Sequence, residues 1–153
     1  MATKKAKRAV PKKRAAAKKR PPARRQPETL RLRRILPSFT ATDLQRSIAF
    51  YRDVLGFVIG EEWREDGVLM GCEIHAGAAT FMLGQDDFAK GRDRQKGLGT
   101  RVWCHTAQDL DRLAAEIKAR GGVLDQEPQT MWGDRVFMIS DPDGFKLTFV
   151  QAR

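Results

Sequence analysis

Asp43-Leu44-Gln45-Arg46-Ser47-Ile48-Ala49-Phe50-Tyr51-Arg52-Asp53-Val54-Leu55-Gly56-Phe57 is the most informative stretch of this 153-residue chain. Leu44, Ser47, Ile48, Tyr51 and Leu55 recur at i, i+3, i+4, i+7 and i+11, which is one face of an amphipathic helix. Asp43 is placed to cap the first turn, because its carboxylate can accept from the free N–H groups there. Gly56 follows at the position where a helix turns left-handed and stops. The stretch therefore predicts one helix that ends at Leu55. Outward from it, Ile35–Ala41 reads as a strand before the helix. Phe57–Trp63, Val68–His75 and Ala78–Leu83 read as three strands after it. Asp66-Gly67 is a hairpin signal between the first two, and Ala76-Gly77 separates the last two. The unit is βαβββ.

The same plan recurs. A shift of 66 carries Thr40-Ala41-x-Asp43-Leu44-x-Arg46 onto Thr106-Ala107-x-Asp109-Leu110-x-Arg112, and Gly56 onto Gly122. A shift of 67 carries Gly77 onto Gly144. Thr100–Thr106 reads as a strand, and Thr106-x-x-Asp109 as a capping box. Leu110, Leu113, Ala114 and Ile117 form a helical stripe ended by Gly121-Gly122. Val123–Asp125 reads as a short strand. Arg135–Ser140 and Phe145–Gln151 flank the turn Asp141-Pro142-Asp143-Gly144. Residues 85–98 read as a polar loop. The class is α+β, with two βαβββ modules at about 35–84 and 99–151.

The Asp43–Phe57 segment resembles the first-helix signature of the vicinal oxygen chelate superfamily. That group includes glyoxalase I, bleomycin-resistance proteins, fosfomycin-resistance enzymes and extradiol dioxygenases. Trp132-Gly133-Asp134-Arg135 through Asp141–Gly144 is similar to its bleomycin-resistance-type branch. The resemblance implies a U-shaped, partly closed eight-stranded barrel with helices outside and a ligand or metal on the concave side. Homodimers that share the cleft across an interface are also implied.

Strand alternation assigns faces. Phe39 and Ala41 take the helix side, so Leu36, Ser38 and Thr40 take the cleft. By the 66-residue shift Val102, Cys104 and Thr106 are the matching cleft set. Trp103 and His105 then share the parity of Phe39 and read as packed residues. Metal-dependent members resemble one another in carrying His, Gln or Glu at cleft positions that fall here on Leu36, Phe81, Val102 and Thr148. Leu, Phe and Val cannot donate to a divalent ion, and Thr is a poor ligand alone. The expected reading is metal-independent binding of a small molecule, an antibiotic or metabolite, with no bond changed and no cofactor. The alternative is a metal-dependent lyase, isomerase or dioxygenase with an off-pattern divalent site from Glu73, His75 and His105.

The cleft candidates are Ser38, Thr40, Trp63, Glu73, Cys104, Trp132, Arg135 and Thr148. Trp63, Trp103 and Trp132 offer stacking surfaces, with a packed core position the competing reading for Trp103. Glu73 stands in an otherwise apolar strand, where a lone charge is costly. It is a candidate to hold a cation, to act as the acid/base of an enzyme, or to pair with Arg135. Arg135 is equally a candidate anion clamp. Cys72 and Cys104 form no CxxC and read as small buried residues rather than a zinc or disulfide framework.

Composition divides the chain. The formal net charge is +10, yet residues 1–34 hold 15 Lys+Arg and one acid, while residues 35–153 hold 14 Lys+Arg and 18 acids. A +14 segment precedes a −4 domain. Lys4, Lys5, Lys12, Lys13, Arg14, Lys18, Lys19 and Arg20 stand among Ala and Pro, with almost no apolar residue to bury. Residues 1–34 are expected to be a disordered tail with three open readings: contact with phosphate backbones without reading sequence, contact with an anionic membrane surface, or a solvated segment that only aids solubility. No run of about 20 apolar residues predicts a membrane span, and no secretory leader is evident. The cytoplasm, with the nucleoid as a candidate site, is the expected location.

Overall fold

The computed structural model describes residues 32–151. Most of the basic segment, including the eight Lys and Arg residues named above, lies outside them. Residues Arg34–Arg153 form one compact unit. Each module begins with a short strand, β1 (Ser38–Ala41) or β5 (Arg101–Thr106). A helix follows, α1 (Leu44–Ala49) or α2 (Leu110–Ala119). Three strands close each module: β2 (Val58–Glu65), β3 (Val68–Ala76) and β4 (Ala79–Gln85), then β6 (Leu124–Met131), β7 (Asp134–Ser140) and β8 (Lys146–Gln151). The sheets run β1-β4-β3-β2 and β5-β8-β7-β6, and no ladder joins them among the described residues. The first strand of each sheet is parallel to the last and all other pairs are antiparallel. These are two open four-stranded sheets, the partly closed form expected, and not a closed barrel.

The helix starts follow from capping chemistry. Asp43 accepts from Arg46 N at 3.0 Å and Asp109 from Arg112 N at 2.9 Å. The predicted Thr106 cap is therefore corrected: Thr106 Oγ1 accepts instead from Gln108 N, in the turn before the helix. The last strand adds a second cap in each module. Gln85 Oε1 accepts from Leu44 N at 3.1 Å, and Gln151 Oε1 from Leu110 N at 2.9 Å. The first helix is not uniform. It widens into a π-helical turn over Phe50–Val54, where Leu55 N reaches back to Phe50 O. The predicted face survives that turn, since Leu44, Ser47, Ile48, Tyr51 and Leu55 are all buried. The short strand expected at Val123–Asp125 extends to Met131 and includes Pro128, which an edge strand tolerates.

One core spans both modules. Phe39, Tyr51, Leu83, Leu110, Ile117, Phe137 and Phe149 belong to a single buried cluster. Phe145, just before β8, stacks on Phe39 of β1 at 4.5 Å between centroids. Gly122 is fixed by close approach: a Cβ there would lie 2.9 Å from Val54 and closer still to Ile117.

The first strand of the second module, β5, is faced oppositely to expectation. Val102 and Cys104 pack against the core, while Trp103 and His105 are exposed. The cause is one extra residue. Ala41 and Thr106 are equivalent, because they pair with the helix-capping Gln85 and Gln151. Two steps separate Ala41 from the Asp43 cap, and three separate Thr106 from the Asp109 cap. The shift is thus 66 at the helices but 65 in the first strands, and an odd slip exchanges the faces. Phe81 is corrected likewise. It packs on Phe39, Tyr51 and Phe57, and its neighbours Thr80 and Met82 take the open face. No helix among the described residues is long and apolar enough to cross a membrane.

The modules are also joined by a buried charge network. Lys96 Nζ, on the linker, meets Asp86 Oδ2 at 2.8 Å, Asp143 Oδ1 at 3.4 Å and the Thr42 hydroxyl. Asp143 accepts from Thr42 N at 2.9 Å and Ser47 Oγ at 3.2 Å. Tyr51 donates to Asp141 Oδ2 at 3.0 Å. The α1 face, the linker and the β7–β8 turn are locked together through charge as well as packing.

Candidate functional site

Cross-strand register builds two open faces. On the first sheet one row reads Ser38, Met82, Glu73, and the next reads Thr40, Gly84, Gly71, Trp63. His75 lies opposite Thr80 and Val58. On the second sheet one row reads Trp103, Thr148, Met138, Gln126, and the next reads His105, Val150, Val136, Gln129. Of the predicted residues, Ser38, Thr40, Trp63 and Glu73 therefore share the first face, and Thr148 lies on the second. Trp132 joins it from the β6–β7 turn, with its ring 5.8 Å from that of Trp103.

Cys104 and Arg135 do not belong to these faces. Cys104 faces the core, and burial pushes its thiol up to about 11. Burial, with Glu62 adding repulsion, pushes Cys72 to about 11 as well. Neither thiol is an activated nucleophile at neutral pH. Arg135 shares the parity of the buried Phe137 and turns to α2, where Asp111 takes both its Nε and Nη2. It is not the partner of Glu73. That hydrogen-bonded pairing lowers the Asp111 carboxyl and raises the Arg135 guanidinium. Asp109, Asp111, Thr130, Gly133, Asp134 and Gln151 join Arg135 around a hollow of about 370 Å³ on the α2 side.

On the second face Thr148 is fully buried, yet its hydroxyl has no hydrogen-bond partner. A buried hydroxyl normally finds one. Beside it Trp103 is 45% exposed and Trp132 is 73% exposed. Trp132 holds a positive φ of 52°, an uncommon conformation for a bulky residue. The Nε2 groups of Gln126 and Gln129 reach only the Met131 sulfur, a weak acceptor. The face thus offers two aromatic planes and an unsatisfied hydroxyl, with the half-buried Gln126 amide resting on a sulfur.

On the first face Glu73 is 15% exposed. Its Oε1 accepts from Arg34 Nη2 at 2.8 Å, and its Oε2 lies 3.4 Å from His75 Nε2. His75 Nδ1 lies 3.0 Å from the Thr80 hydroxyl. Thr80, His75, Glu73 and Arg34 form one polar chain along the sheet.

Where the first and last strands of each module pair on these faces, the opposed residues are Ser38 with Met82 and Trp103 with Thr148. Hydroxyls and a thioether are poor donors to a hard divalent ion, and indole is none. This donor set does not fit such an ion. No group of three or more His, Cys, Asp or Glu close enough for a metal occurs among the described residues, so His105 does not join Glu73 and His75. Sequence reasoning missed Met82 and Arg34 as face residues, and its parity argument turned the stacking candidate Trp103 toward the core. The signal for Trp103 was present in the unequal strand-to-cap spacing of the two modules.

Comparison with known proteins gives the following. Residues 32–149 match the model of the Glyoxalase/Bleomycin resistance protein/Dioxygenase superfamily. A lactoylglutathione lyase of Haemophilus influenzae is 28% identical over 125 residues, covering 72% of this chain and 86% of that protein. TnmS3, described as an antibiotic binding protein from Streptomyces sp. CB03234, has a similar fold (TM-score 0.60, 20% identity, 78% of this chain and 97% of that one). So has TioX from Micromonospora sp. ML1 (TM-score 0.63, 19% identity, 76% and 96%).

Proposed function

We propose that this chain, which belongs to the Glyoxalase/Bleomycin resistance protein/Dioxygenase superfamily, binds a small aromatic molecule such as an antibiotic or metabolite, without a metal and without changing it. One observation carries this reading: the exposed Trp103–Trp132 pair beside the unpartnered, buried Thr148 hydroxyl. Aromatic planes supply contact area at low entropic cost, and one fixed polar group orients the ligand. The antibiotic-binding description of TnmS3 supports the ligand class. A homodimer completes the cleft in this reading. Val58, Val68, Trp103 and Trp132 are all exposed large apolar groups for a second copy or a ligand to cover.

The test is tryptophan-fluorescence titration with a panel of planar aromatic antibiotics, followed by mass analysis of the recovered ligand. Saturable quenching that is lost in Trp103→Ala, with ligand recovered intact, is expected. Stoichiometric iron, zinc, manganese or nickel in protein purified without chelator would sink the metal-free reading. Light scattering reports the dimer, at about twice the 17.3 kDa chain mass.

The resemblance to a lactoylglutathione lyase favours a second reading, a lyase of the same superfamily. Glu73, paired with His75, is its candidate acid/base. Turnover of S-lactoylglutathione, lost in Glu73→Gln, would establish it.

We also propose that the basic segment contacts nucleic-acid backbones in the cytoplasm. Twelve Lys and Arg in residues 1–25 and no acid support this. Changing the eight tail residues named above to Gln in the full chain is expected to abolish retention on duplex DNA. Salt is expected to weaken binding of the unaltered chain, with a log–log slope of about −0.9 per phosphate contact. Equal retention by both proteins would remove the tail from the account.

A further inference from the structure

The first sheet's open face carries a glycine-lined patch that the aromatic site on the second sheet does not use. Its floor is glycine. Around Gly84 an added Cβ would meet nothing nearer than 4.0 Å. Gly71, its cross-strand neighbour, is roofed by Trp63, whose indole atoms would lie 2.5 Å from a Cβ there. Gly60 leaves room for the His75 ring in the same way, and a Cβ there would also come within 3.2 Å of Glu73. Gly71 and Gly60 therefore let two rings lie against the sheet, and Gly84 leaves open space beside Gly71. Glu73 lies two residues from Gly71 and two from His75, with its Oε2 3.4 Å from His75 Nε2.

A carboxylate this little exposed calls for a cation. The one it has comes from the chain's own lead-in. Arg34 precedes β1, and its guanidinium reaches past β4 to Glu73 on β3. The Arg34 side chain is 56% exposed, and the first backbone bond tying this segment to the sheet is at Pro37. It is a weakly held occupant of a site whose other walls are fixed. A planar cation satisfies every wall at once. Its N–H groups meet the Glu73 carboxylate in a charge-assisted bond. Its face lies near an aromatic ring, a favourable place for a cation.

We infer that Glu73, Trp63 and His75 form a subsite for an organic cation, a guanidinium or amidinium head group, and that Arg34 is its internal competitor. A ligand entering the cleft displaces Arg34 and takes over its bonds to Glu73. The inference rests on the cleft being a ligand site but assigns its own chemistry and its own face. If Arg34 fills the subsite in about nine of ten molecules, its removal tightens apparent affinity about tenfold, and that factor is what the experiment reads.

The test uses the full chain and benzamidine, followed by calorimetry. Arg34→Ala is expected to tighten benzamidine about tenfold. Glu73→Gln is expected to abolish binding, and the double variant to stay unbound. Added salt weakens binding to the unaltered protein. Unchanged or weaker binding in Arg34→Ala overturns the proposal. That variant sits on an exposed side chain, so its result stands even if Glu73→Gln misfolds. Trp103→Ala separates the two readings. Benzamidine binding that persists there, while a neutral aromatic antibiotic fails to bind any form, retains the cation site and removes the aromatic one. Benzamidine binding lost in Trp103→Ala, and retained in Glu73→Gln, overturns the cation site.

Discussion

Lys96→Met tests whether charge, and not only apolar packing, joins the two modules. The Lys96 side chain is 2% exposed, and its partners Asp86 and Asp143 are 3% and 6% exposed. Met keeps most of the stem volume and removes the ammonium. Two little-exposed carboxylates and the Thr42 hydroxyl at the network's edge then lose a shared donor. Removing one partner of a buried ion pair costs about 3–5 kcal/mol. Asp86 keeps Arg94 at 3.0 Å, and Asp143 keeps Thr42 and Ser47, so the lower end, about 3 kcal/mol, applies. For a domain of this size that is roughly 10 °C in Tm. The assay is urea unfolding by tryptophan fluorescence at pH 7, with an unchanged denaturant slope.

The acid limb of the stability profile gives a second readout. The Lys96 bond, with help from Phe88 N and Arg94, holds the Asp86 carboxyl down at about 2. Burial pushes Asp143 up, but its bonds from Thr42 and the Lys96 charge outweigh that and hold it below the usual range. A carboxyl depressed in the fold stabilises above its unfolded value of about 4, and that stability is lost as pH falls from about 4 toward 2. Asp141 acts oppositely. Burial raises it, so the fold takes up its proton more readily than the unfolded chain and part of the loss is offset. The unaltered protein should therefore lose stability across pH 4 to 2, and Lys96→Met should show a flatter acid limb. A loss below about 1 kcal/mol with an unchanged acid limb would refute the idea that charge pins the modules.

Gly97→Ala should abolish folding or cost several degrees of Tm, read by circular dichroism. Gly97 has a φ of +69°, and a Cβ there would lie 2.5 Å from the Gly144 carbonyl carbon, a backbone atom that cannot step aside. Tyr51→Phe should cost about 1.5–3 kcal/mol in the same melts, because it removes the donor to the buried Asp141 carboxylate. Both thiols, held near 11, should react slowly with Ellman's reagent at pH 8 and quickly in denaturant. Fast native labelling of Cys104 would show that β5 is faced the other way. Trp103→Ala should leave Tm within about 1 °C, since an exposed ring contributes little to stability.

The modular plan was legible because it is written in local chemistry. The Asp caps, the helical stripe of Leu44, Ile48, Tyr51 and Leu55, and the stop at Gly56 act within a few residues of one another. The structure reproduces the Asp43 cap, the stripe and the Gly56 stop, and replaces the Thr106 cap read for the second helix with Asp109. The site was less legible, since alternation assigns a face only once an anchor is fixed. Carrying the anchor from Asp43 to Asp109 missed one residue between Thr106 and the helix, and so exchanged Trp103 with Cys104 and placed Val102 in the cleft. Arg135 was drawn to Asp111, a neighbour that sequence distance hides.

The sequence by itself determined a basic segment of +14 ahead of a −4 domain, two repeated βαβββ units and the Asp43 cap that starts the first helix. Composition and i, i+3, i+4 spacing settle such features without long-range contacts. Tertiary structure alone decided which side chains share an open face. Cross-strand register brings Trp103 beside Thr148, and Arg34 reaches Glu73 across 39 residues of chain. Neither neighbour relation follows from spacing along the chain, because each depends on the folded path between the partners.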